Sequence, residues 1–300
     1  TFEPYYDSYA ASIALSGAER RTVRLRPHRT ASGGDNGSGS GAGSEAVRGD
    51  GATGDGGFRF DPRELEAAFS SRTRLVLLNT PHNPTGKVFT REELDLIARL
   101  AVQNDAVVVT DEVYEHLAFD GRPHIPMATL PGMAERTVTI SSAGKTFSVT
   151  GWKIGWLHGP AGLVAAARAV KQFLTYVSGG PLQPAVASAL GLDDAFYIGL
   201  AADMQRKRDL LCAGLRAAGF EVFPTSGTYF VITDAAPLGY DDGVELCQRL
   251  PELIGVAAVP VSVFCDDKES TRSLVRFAFC KRDDVLHQAV DRLTGLSTRT

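Results

Sequence analysis

Lys145 stands in the stretch ISSAGKTFSVTGWKIGW, residues 140–156, among small and hydroxylated residues between two apolar segments. Together with Gly144 and Thr146 it matches the last residues of the nucleotide-binding P-loop, GxxxxGK[ST]. That motif needs its first glycine at position 139, where this sequence has Thr139, and it needs a helix that begins at the lysine. The β-branched residues after Lys145 favour a strained, extended turn instead. The sequence therefore excludes a P-loop, and Lys145 requires another explanation.

A lysine amine can also act as a nucleophile that forms a Schiff base with a carbonyl cofactor, of which pyridoxal phosphate (PLP) is the common case. PLP needs an acid against its pyridine nitrogen, a donor to its phenolic oxygen, hydroxyls and cations for its phosphate, and an aromatic face over its ring. Residues of these types lie at or just after the polar ends of predicted strands, namely Asn83, Asp111, Tyr114, Ser142 and Lys145. Because ligands of parallel α/β sheets bind beyond the carboxyl ends of strands, this placement favours the Schiff-base chemistry.

The elements that must position these residues are predicted from hydrophobic patterning. Buried-strand patterns occur at residues 74–79, 106–114, 136–142 and 154–159. An amphipathic helix with a threonine cap and an acidic first turn is predicted at 90–105. Short hydrophobic strands that alternate with helices indicate an α/β domain with a mostly parallel sheet.

The second half of the chain has a different pattern. A long helix is predicted at 193–219 and a closing helix from Asp283, and strands are predicted at 229–233, 256–260 and 274–279. This order indicates a smaller α+β domain. We therefore predict a large domain over residues 1–190 and a small C-terminal domain over residues 191–300.

Residues 31–57 contain 11 glycines in 27 positions and almost nothing that could enter a core, so we expect a flexible, disordered insertion there. The chain begins TFEPYYDSY, without a methionine, in what reads as a loop after a strand. We therefore expect that the N-terminal part of the domain is absent from this chain.

Composition excludes several classes of partner. The net charge of −4 supplies no basic field for nucleic acid, and no apolar run approaches the roughly 18 residues that span a bilayer. Neither the histidines, of which His116 and His124 are eight positions apart, nor the cysteines have a metal-ligand spacing. The four cysteines, which lie far apart without a disulfide framework, favour a reducing cytoplasm: Cys212, Cys247, Cys265 and Cys280.

Four ordered motifs resemble class I/II, fold-type I PLP-dependent aminotransferases: NTPHNPTGK (79–87), TDEVYEHLAFDG (110–121), ISSAGKTFSVTGWKIGW (140–156) and VRFAFCK (275–281). The branch that the chain resembles most holds kynurenine, glutamine and methionine aminotransferases, related cysteine-conjugate lyases and succinyldiaminopimelate aminotransferase-like proteins. The similarity covers nearly everything outside the glycine-rich segment. It implies an α/β fold of type I, with a mostly parallel sheet, flanking helices and a smaller C-terminal α+β domain.

The resemblance also implies roles for the residues at the strand ends. Lys145 would be the Schiff-base lysine and would later move the proton between substrate Cα and the cofactor. Asp111 would pair with the pyridinium nitrogen and keep the ring protonated. Asn83 and Tyr114 would hydrogen-bond to the phenolic oxygen, and Asn83 would also contact the substrate.

The remaining roles carried over from the family concern the phosphate, the ring face and the substrate. Ser142 and Lys153 would hold the phosphate, and Tyr6 would stack on the pyridine ring. Arg276 would bind the substrate α-carboxylate, a task suited to a bidentate fork. Tyr5 and Tyr9, in the same segment as Tyr6, are expected to be structural.

These observations predict a PLP-dependent aminotransferase that moves an amino group from an L-amino acid to a 2-oxo acid in two half-reactions. The resemblance implies a cytoplasmic homodimer in the full-length form, because a neighbouring subunit completes the phosphate site in the family. Two alternatives remain open at this point. One is a PLP-dependent carbon–sulfur β-lyase, and the other is a non-catalytic remnant that acts as a binding domain.

Overall fold

The computed structural model describes residues 1–28, 57–177 and 179–296. The predicted disordered insertion at 31–57 lies outside the described residues except for Gly57. The strands are β1 (Phe2–Glu3), β2 (Val23–Arg24), β3 (Arg26–Pro27), β4 (Phe58–Arg59), β5 (Leu75–Asn79), β6 (Val107–Asp111), β7 (Thr137–Ser142), β8 (Gly155–His158), β9 (Glu221–Val222), β10 (Phe230–Asp234), β11 (Val259–Pro260) and β12 (Leu274–Ala278). The helices are α1 (Asp7–Leu15), α2 (Pro62–Ala68), α3 (Arg91–Gln103), α4 (Ala143–Thr146), α5 (Ala161–Leu174), α6 (Leu182–Ala189), α7 (Asp194–Ala217), α8 (Gly243–Ile254) and α9 (Asp283–Thr294).

A four-stranded sheet of order β5-β6-β7-β8 confirms the predicted mostly parallel sheet. The pairs β5–β6 and β6–β7 are parallel, and β8 runs antiparallel to β7. In the register, Asn79 lies opposite Asp111, and Asp111 lies opposite Ile140. The carboxyl ends of β5, β6 and β7 therefore meet at one edge of the sheet. β6 ends three residues earlier than predicted because the Asp111 carboxylate accepts the Val113 N–H (3.2 Å) and turns the chain.

Helix α3 confirms the amphipathic helix predicted at 90–105. Thr90 and Glu93 form a reciprocal capping box, in which each side chain accepts the backbone N–H of the other residue. The apolar face of α3, which includes Leu94 and Ile97, is buried in the same core cluster as Leu78 of β5 and the other inward-facing residues of the sheet. This packing fixes one face of the strands whose ends carry the predicted site residues.

A second sheet, of order β11-β12-β10-β9, is antiparallel and contains the strands predicted in the C-terminal part. It packs with α7, α8 and α9 around a separate apolar cluster that includes Leu215, Leu246 and Phe279. Strand β10 joins the two cores, because Ile232 belongs to the first cluster and Val231 to the second. The predicted small α+β unit is therefore present, and its predicted boundary at residue 190 stays a prediction.

Helices α5 to α7 leave much apolar side-chain surface exposed. No residue of α5 is buried, and Phe173 near its end is 87% exposed. In the described ranges no single helix has the length and apolar composition to cross a membrane, while α6 and α7 meet that criterion only as a pair bent by 89°. The C-terminal half of α5 thus leaves Val170, Phe173 and Leu174 mostly exposed in the described part of the chain.

The two halves of the structure meet at a backbone seam around Gly227. The Phe119 N–H donates to the Ser226 carbonyl (2.8 Å), and the Thr228 N–H donates to the Leu117 carbonyl (2.9 Å). A Cβ on Gly227 would lie 2.8 Å from the Leu117 carbonyl oxygen, which is backbone and cannot rotate away. Glycine is required here because the seam brings main chain against main chain.

We expect Gly227→Ala to lower the free energy of unfolding by about 1–3 kcal/mol, because the added methyl group overpacks this seam. The matched control is Gly199→Ala, in the exposed interior of α7, where an added Cβ meets nothing within 4 Å. That control should raise stability by about 0.5–1 kcal/mol through helix propensity. Urea unfolding followed by circular dichroism measures both, and a Gly227→Ala protein as stable as the parent would refute this account of the seam.

Candidate active site

Lys145 lies in α4, a single helical turn that begins where β7 ends. The Ser142 hydroxyl caps this turn by accepting the Gly144 N–H (3.1 Å). Gly144 is packed tightly, since a Cβ there would lie 3.0 Å from Thr150 Cα. The predicted extended turn at Lys145 is therefore wrong: the serine cap and the small residues permit a helical turn. Left-handed backbone appears only afterwards, at Ser148 and Lys153, both with φ of 56°.

The Lys145 amine is held between two tyrosines. Its Nζ donates to the Tyr229 hydroxyl (3.1 Å) and lies 5.9 Å and 5.7 Å from the ring centroids of Tyr114 and Tyr229. The two rings pack edge to face, with centroids 5.2 Å apart. Burial, followed by the neighbouring Tyr229 phenol, raises the pKa of Tyr114, so that Tyr114 stays a protonated donor. The lysine is thus oriented by one hydrogen bond and two aromatic faces.

The Asp111 carboxylate has a donor on each oxygen. The Tyr9 hydroxyl donates to Oδ2 (2.6 Å), and the Val113 N–H donates to Oδ1 (3.2 Å). Burial raises the pKa of Asp111, and the Tyr9 bond, the Val113 N–H and the positive charge of Lys145 act in the opposite direction. The carboxylate is therefore desolvated, oriented and electrostatically coupled to the lysine.

Arg276 projects from β12 between two phenylalanine rings. Its guanidinium carbon lies 4.0 Å from the Phe230 ring centroid and 4.7 Å from that of Phe264. Burial lowers the pKa of Arg276, but an arginine guanidinium is so basic that it keeps its charge in proteins. A planar guanidinium held between two aromatic rings is suited to bidentate binding of a carboxylate.

A line of hydrogen bonds connects Arg276 with the end of β6. Arg276 Nη1 donates to Asn83 Oδ1 (3.0 Å), and the Asn83 backbone N–H donates to Asn79 Oδ1 (2.7 Å). Asn79 Nδ2 in turn donates to the Asp111 carbonyl (2.8 Å). The arginine of the second sheet is thereby placed in a fixed relation to the carboxylate of the first.

The other predicted site residues, Ser142, Lys153 and Tyr6, make fewer contacts with the residues described above. Gly155 pairs with Ser142 in the β7–β8 register, so Lys153, two residues earlier, lies near the same corner of the sheet. The Lys153 side chain is exposed. Tyr6 precedes α1, is 42% exposed, and packs edge to face against Tyr9 with centroids 5.6 Å apart.

Two tyrosines at the site were not among the predicted site residues. Tyr9 was expected to be structural, yet its hydroxyl contacts Asp111, and its position three residues after Tyr6 at a helix start was a usable signal. Tyr229 directly precedes β10 and has no motif spacing that marks it. A cavity of about 730 Å³ lies elsewhere, along β5 and between α1 and α2, and includes none of these residues.

Comparison with known proteins agrees with this geometry. The model of the family described as aminotransferase class I and II matches residues 1–293. The chain is 48% identical to a probable N-succinyldiaminopimelate aminotransferase of Mycobacterium tuberculosis, over 99% of this chain and 70% of the relative. It is 39% identical to kynurenine–oxoglutarate transaminase 3 of Mus musculus, over 95% of this chain and 63% of the relative.

A solved structure gives the same result for the fold. The Escherichia coli protein whose crystal structure and reactivity identify a methionine aminotransferase function superposes with a TM-score of 0.84 and 37% identity, over 98% of this chain and 69% of that one. Relatives of this chain are thus named aminotransferases, which does not favour the β-lyase and the non-catalytic remnant left open by the sequence. The chain belongs to the class I and II aminotransferase family, and its function is that of a transaminase.

Proposed function

We propose that this aminotransferase binds pyridoxal 5′-phosphate at the carboxyl edge of β6 and β7 and carries it on Lys145. The observation that supports this most is the juxtaposition of an amine and a half-buried carboxylate beyond two adjacent parallel strands, with Lys145 acting electrostatically on Asp111. The set of donors fits the cofactor, because an amine, a carboxylate, phenols, a serine hydroxyl and cations converge there. When bound, PLP supplies an electron-accepting ring that stabilises negative charge at the substrate Cα.

In this proposal Lys145 moves the proton. Its Nζ takes the proton from the substrate Cα as a general base and returns it as a general acid in the reverse sense. The Tyr229 hydroxyl accepts a hydrogen bond from Nζ (3.1 Å) and would orient the amine whenever it is free. The same lysine therefore serves both half-reactions.

The other residues hold the cofactor in a single orientation. Asp111 would pair with the pyridine nitrogen, while Asn83 and Tyr114 would donate to the phenolic oxygen. Tyr6 would cover the ring. Ser142 and Lys153 would bind the phosphate, where the lysine would act as a point charge rather than as a bidentate donor.

Arg276 binds the α-carboxylate of the amino acid or 2-oxo acid, with Asn83 beside it. The Phe230 and Phe264 rings exclude water from the guanidinium, which strengthens its attraction for a carboxylate. L-amino acids and 2-oxo acids both carry a carboxylate that Arg276 would bind. They are therefore the two substrate classes in this proposal.

The functional form in this proposal is a homodimer in the cytoplasm, without nucleic acid or membrane partners. Exposed apolar side chains at the end of α5 and just after it, with Phe173 at 87% and Tyr176 at 74% exposure, form a surface suited to contact with a second subunit. The net charge of −4 gives no basic surface for nucleic acid. The names of the relatives make diaminopimelate derivatives, kynurenine and methionine the first amino donors to test.

Lys145→Ala should abolish covalent attachment of PLP, because it removes the amine that carries it. PLP added to the parent should produce a visible absorbance band, and borohydride reduction followed by peptide mass mapping should locate the label on Lys145. Lys171→Ala is the matched control, since Lys171 lies on α5 and its Nζ hydrogen-bonds to Thr175 (2.8 Å). A label that persists in Lys145→Ala would contradict the proposal, and a parent without the band would favour the non-catalytic remnant.

Arg276→Lys should lower kcat/KM for L-amino acids by about 100-fold, because lysine cannot make the bidentate bond to the α-carboxylate. The affinity for PLP should change little. The rates are measured with the donor panel and 2-oxoglutarate, and amines without a carboxylate should be affected much less. Arg272→Lys, at an exposed position on the surface near β12, is the control. An equal loss of kcat/KM for amines with and without a carboxylate would show that Arg276 does not bind the substrate carboxylate.

A further inference from the structure

The hydrogen bond between Tyr9 and Asp111 is a short contact between two distant parts of the chain. The Tyr9 hydroxyl lies 2.6 Å from Oδ2, although the two residues are 102 positions apart in the chain. The bond is short, as expected when a phenol donates to a carboxylate. Tyr9 is only partly exposed and stands in the first turn of α1, one turn beyond Tyr6. The segment that carries the predicted ring cover therefore also contacts the predicted partner of the ring nitrogen.

Two donors from different elements fix the plane of this carboxylate. Val113, from the turn after β6, holds Oδ1, and Tyr9, from α1, holds Oδ2. Each carboxylate oxygen can accept a second hydrogen bond, so both contacts are compatible with a third donor from a ligand. Without Tyr9, the Oδ2 atom would lose its only donor among the described residues.

We propose that Tyr9 is a positioning residue whose phenol keeps the Asp111 carboxylate ionised and aimed at the cofactor ring nitrogen. This proposal rests on the proposed function for the identity of the ligand. Its physical content, that one phenol controls the charge and orientation of one carboxylate, concerns this chain alone.

The groups around the pair act in both directions. Asp111 is faced by Tyr9, by Lys145, whose positive charge lowers its pKa, and by Glu112, whose negative charge raises it. Tyr9 is faced by Asp111, Tyr114 and Tyr6, and burial and these neighbours raise the pKa of Tyr9 well above 10. Tyr9 therefore stays protonated near neutral pH and remains a donor. Because burial is the largest influence on Asp111 and raises its pKa, loss of the Tyr9 bond leaves that influence less opposed.

Tyr9→Phe removes only the hydroxyl oxygen. The Asp111 carboxyl pKa should rise, measured in the cofactor-free protein by ¹³C NMR of labelled aspartate, with the Asp111 signal identified by its absence in Asp111→Asn. A raised pKa means that the carboxylate is present above that pKa and is lost as pH falls through it. The affinity for PLP, measured by titration, should therefore fall about tenfold at neutral pH. As the pH is lowered, the affinity of Tyr9→Phe should begin to fall at a higher pH than that of the parent.

Tyr5→Phe is the matched control. The Tyr5 hydroxyl donates to the Asp266 carboxylate at the same distance, 2.6 Å, in the same segment of chain. This variant removes an equivalent phenol–carboxylate bond without touching Asp111, so it reports any general loosening of the segment. Its Asp111 titration and its PLP affinity should match those of the parent.

A second variant works in the opposite direction and keeps the side chain almost unchanged. A fluorinated tyrosine at position 9 has a more acidic phenol and donates a stronger bond, so it should lower the Asp111 pKa below that of the parent. An Asp111 titration that is the same in the parent, Tyr9→Phe and the fluorinated protein would overturn the role of Tyr9. A parent that titrates as expected but does not bind PLP would instead overturn the proposed function and leave the Tyr9–Asp111 bond established.

Discussion

The rest of the site depends on one constraint: the Asp111 carboxylate, at the carboxyl end of the parallel strand β6, is largely shielded from water. An isolated buried charge is very costly, so Asp111 needs donors and a nearby cation to stay ionised. Tyr9, Val113 and Lys145 supply these from three different elements. The helix after the first strand, the turn after β6 and the capped turn after β7 must therefore all converge on one point.

The second consequence of this constraint is the connection between the two sheets. The Asp111 carbonyl accepts a hydrogen bond from the Asn79 side chain. The Asn79 side-chain oxygen accepts the Asn83 backbone N–H, and the Asn83 side-chain oxygen accepts a hydrogen bond from Arg276 on β12. Each of these groups is partly or fully buried, so an unmade bond would leave a desolvated polar group. This line of hydrogen bonds thus makes the position of Arg276 depend on the strand that carries Asp111. Close backbone packing of Gly227 against Leu117 also holds the C-terminal part of the chain against the first sheet's half of the structure.

Much of this arrangement was predictable from sequence, and the parts that were not have physical reasons. The strands β5 to β8 follow from short apolar runs, and α3 follows from its cap and its periodicity, because both signals are local. The turn at Lys145 was predicted wrongly. The β-branched residues after it favour extended backbone, but the Ser142 cap before it stabilises a helical turn. Tyr229 meets Lys145 across 84 positions, and no local pattern encodes such a contact. The roles assigned to the predicted site residues stay predictions, whereas the family and the fold are confirmed.

The division of the site between two sheets also explains why its two charged partners have such different environments. Asp111 lies at a strand end, where backbone and phenol donors can reach it, and their two hydrogen bonds favour its charged form. Arg276 lies within the strand β12, between the Phe230 and Phe264 rings, and its charge is met mainly by aromatic faces and by one amide oxygen. A carboxylate ligand would therefore relieve the desolvation of Arg276, whereas Asp111 is already satisfied before any ligand arrives. With the proposed roles, the physical expectation is that the Asp111 carboxylate is preorganised for the cofactor, whereas Arg276 makes its strongest interaction only when a carboxylate substrate binds.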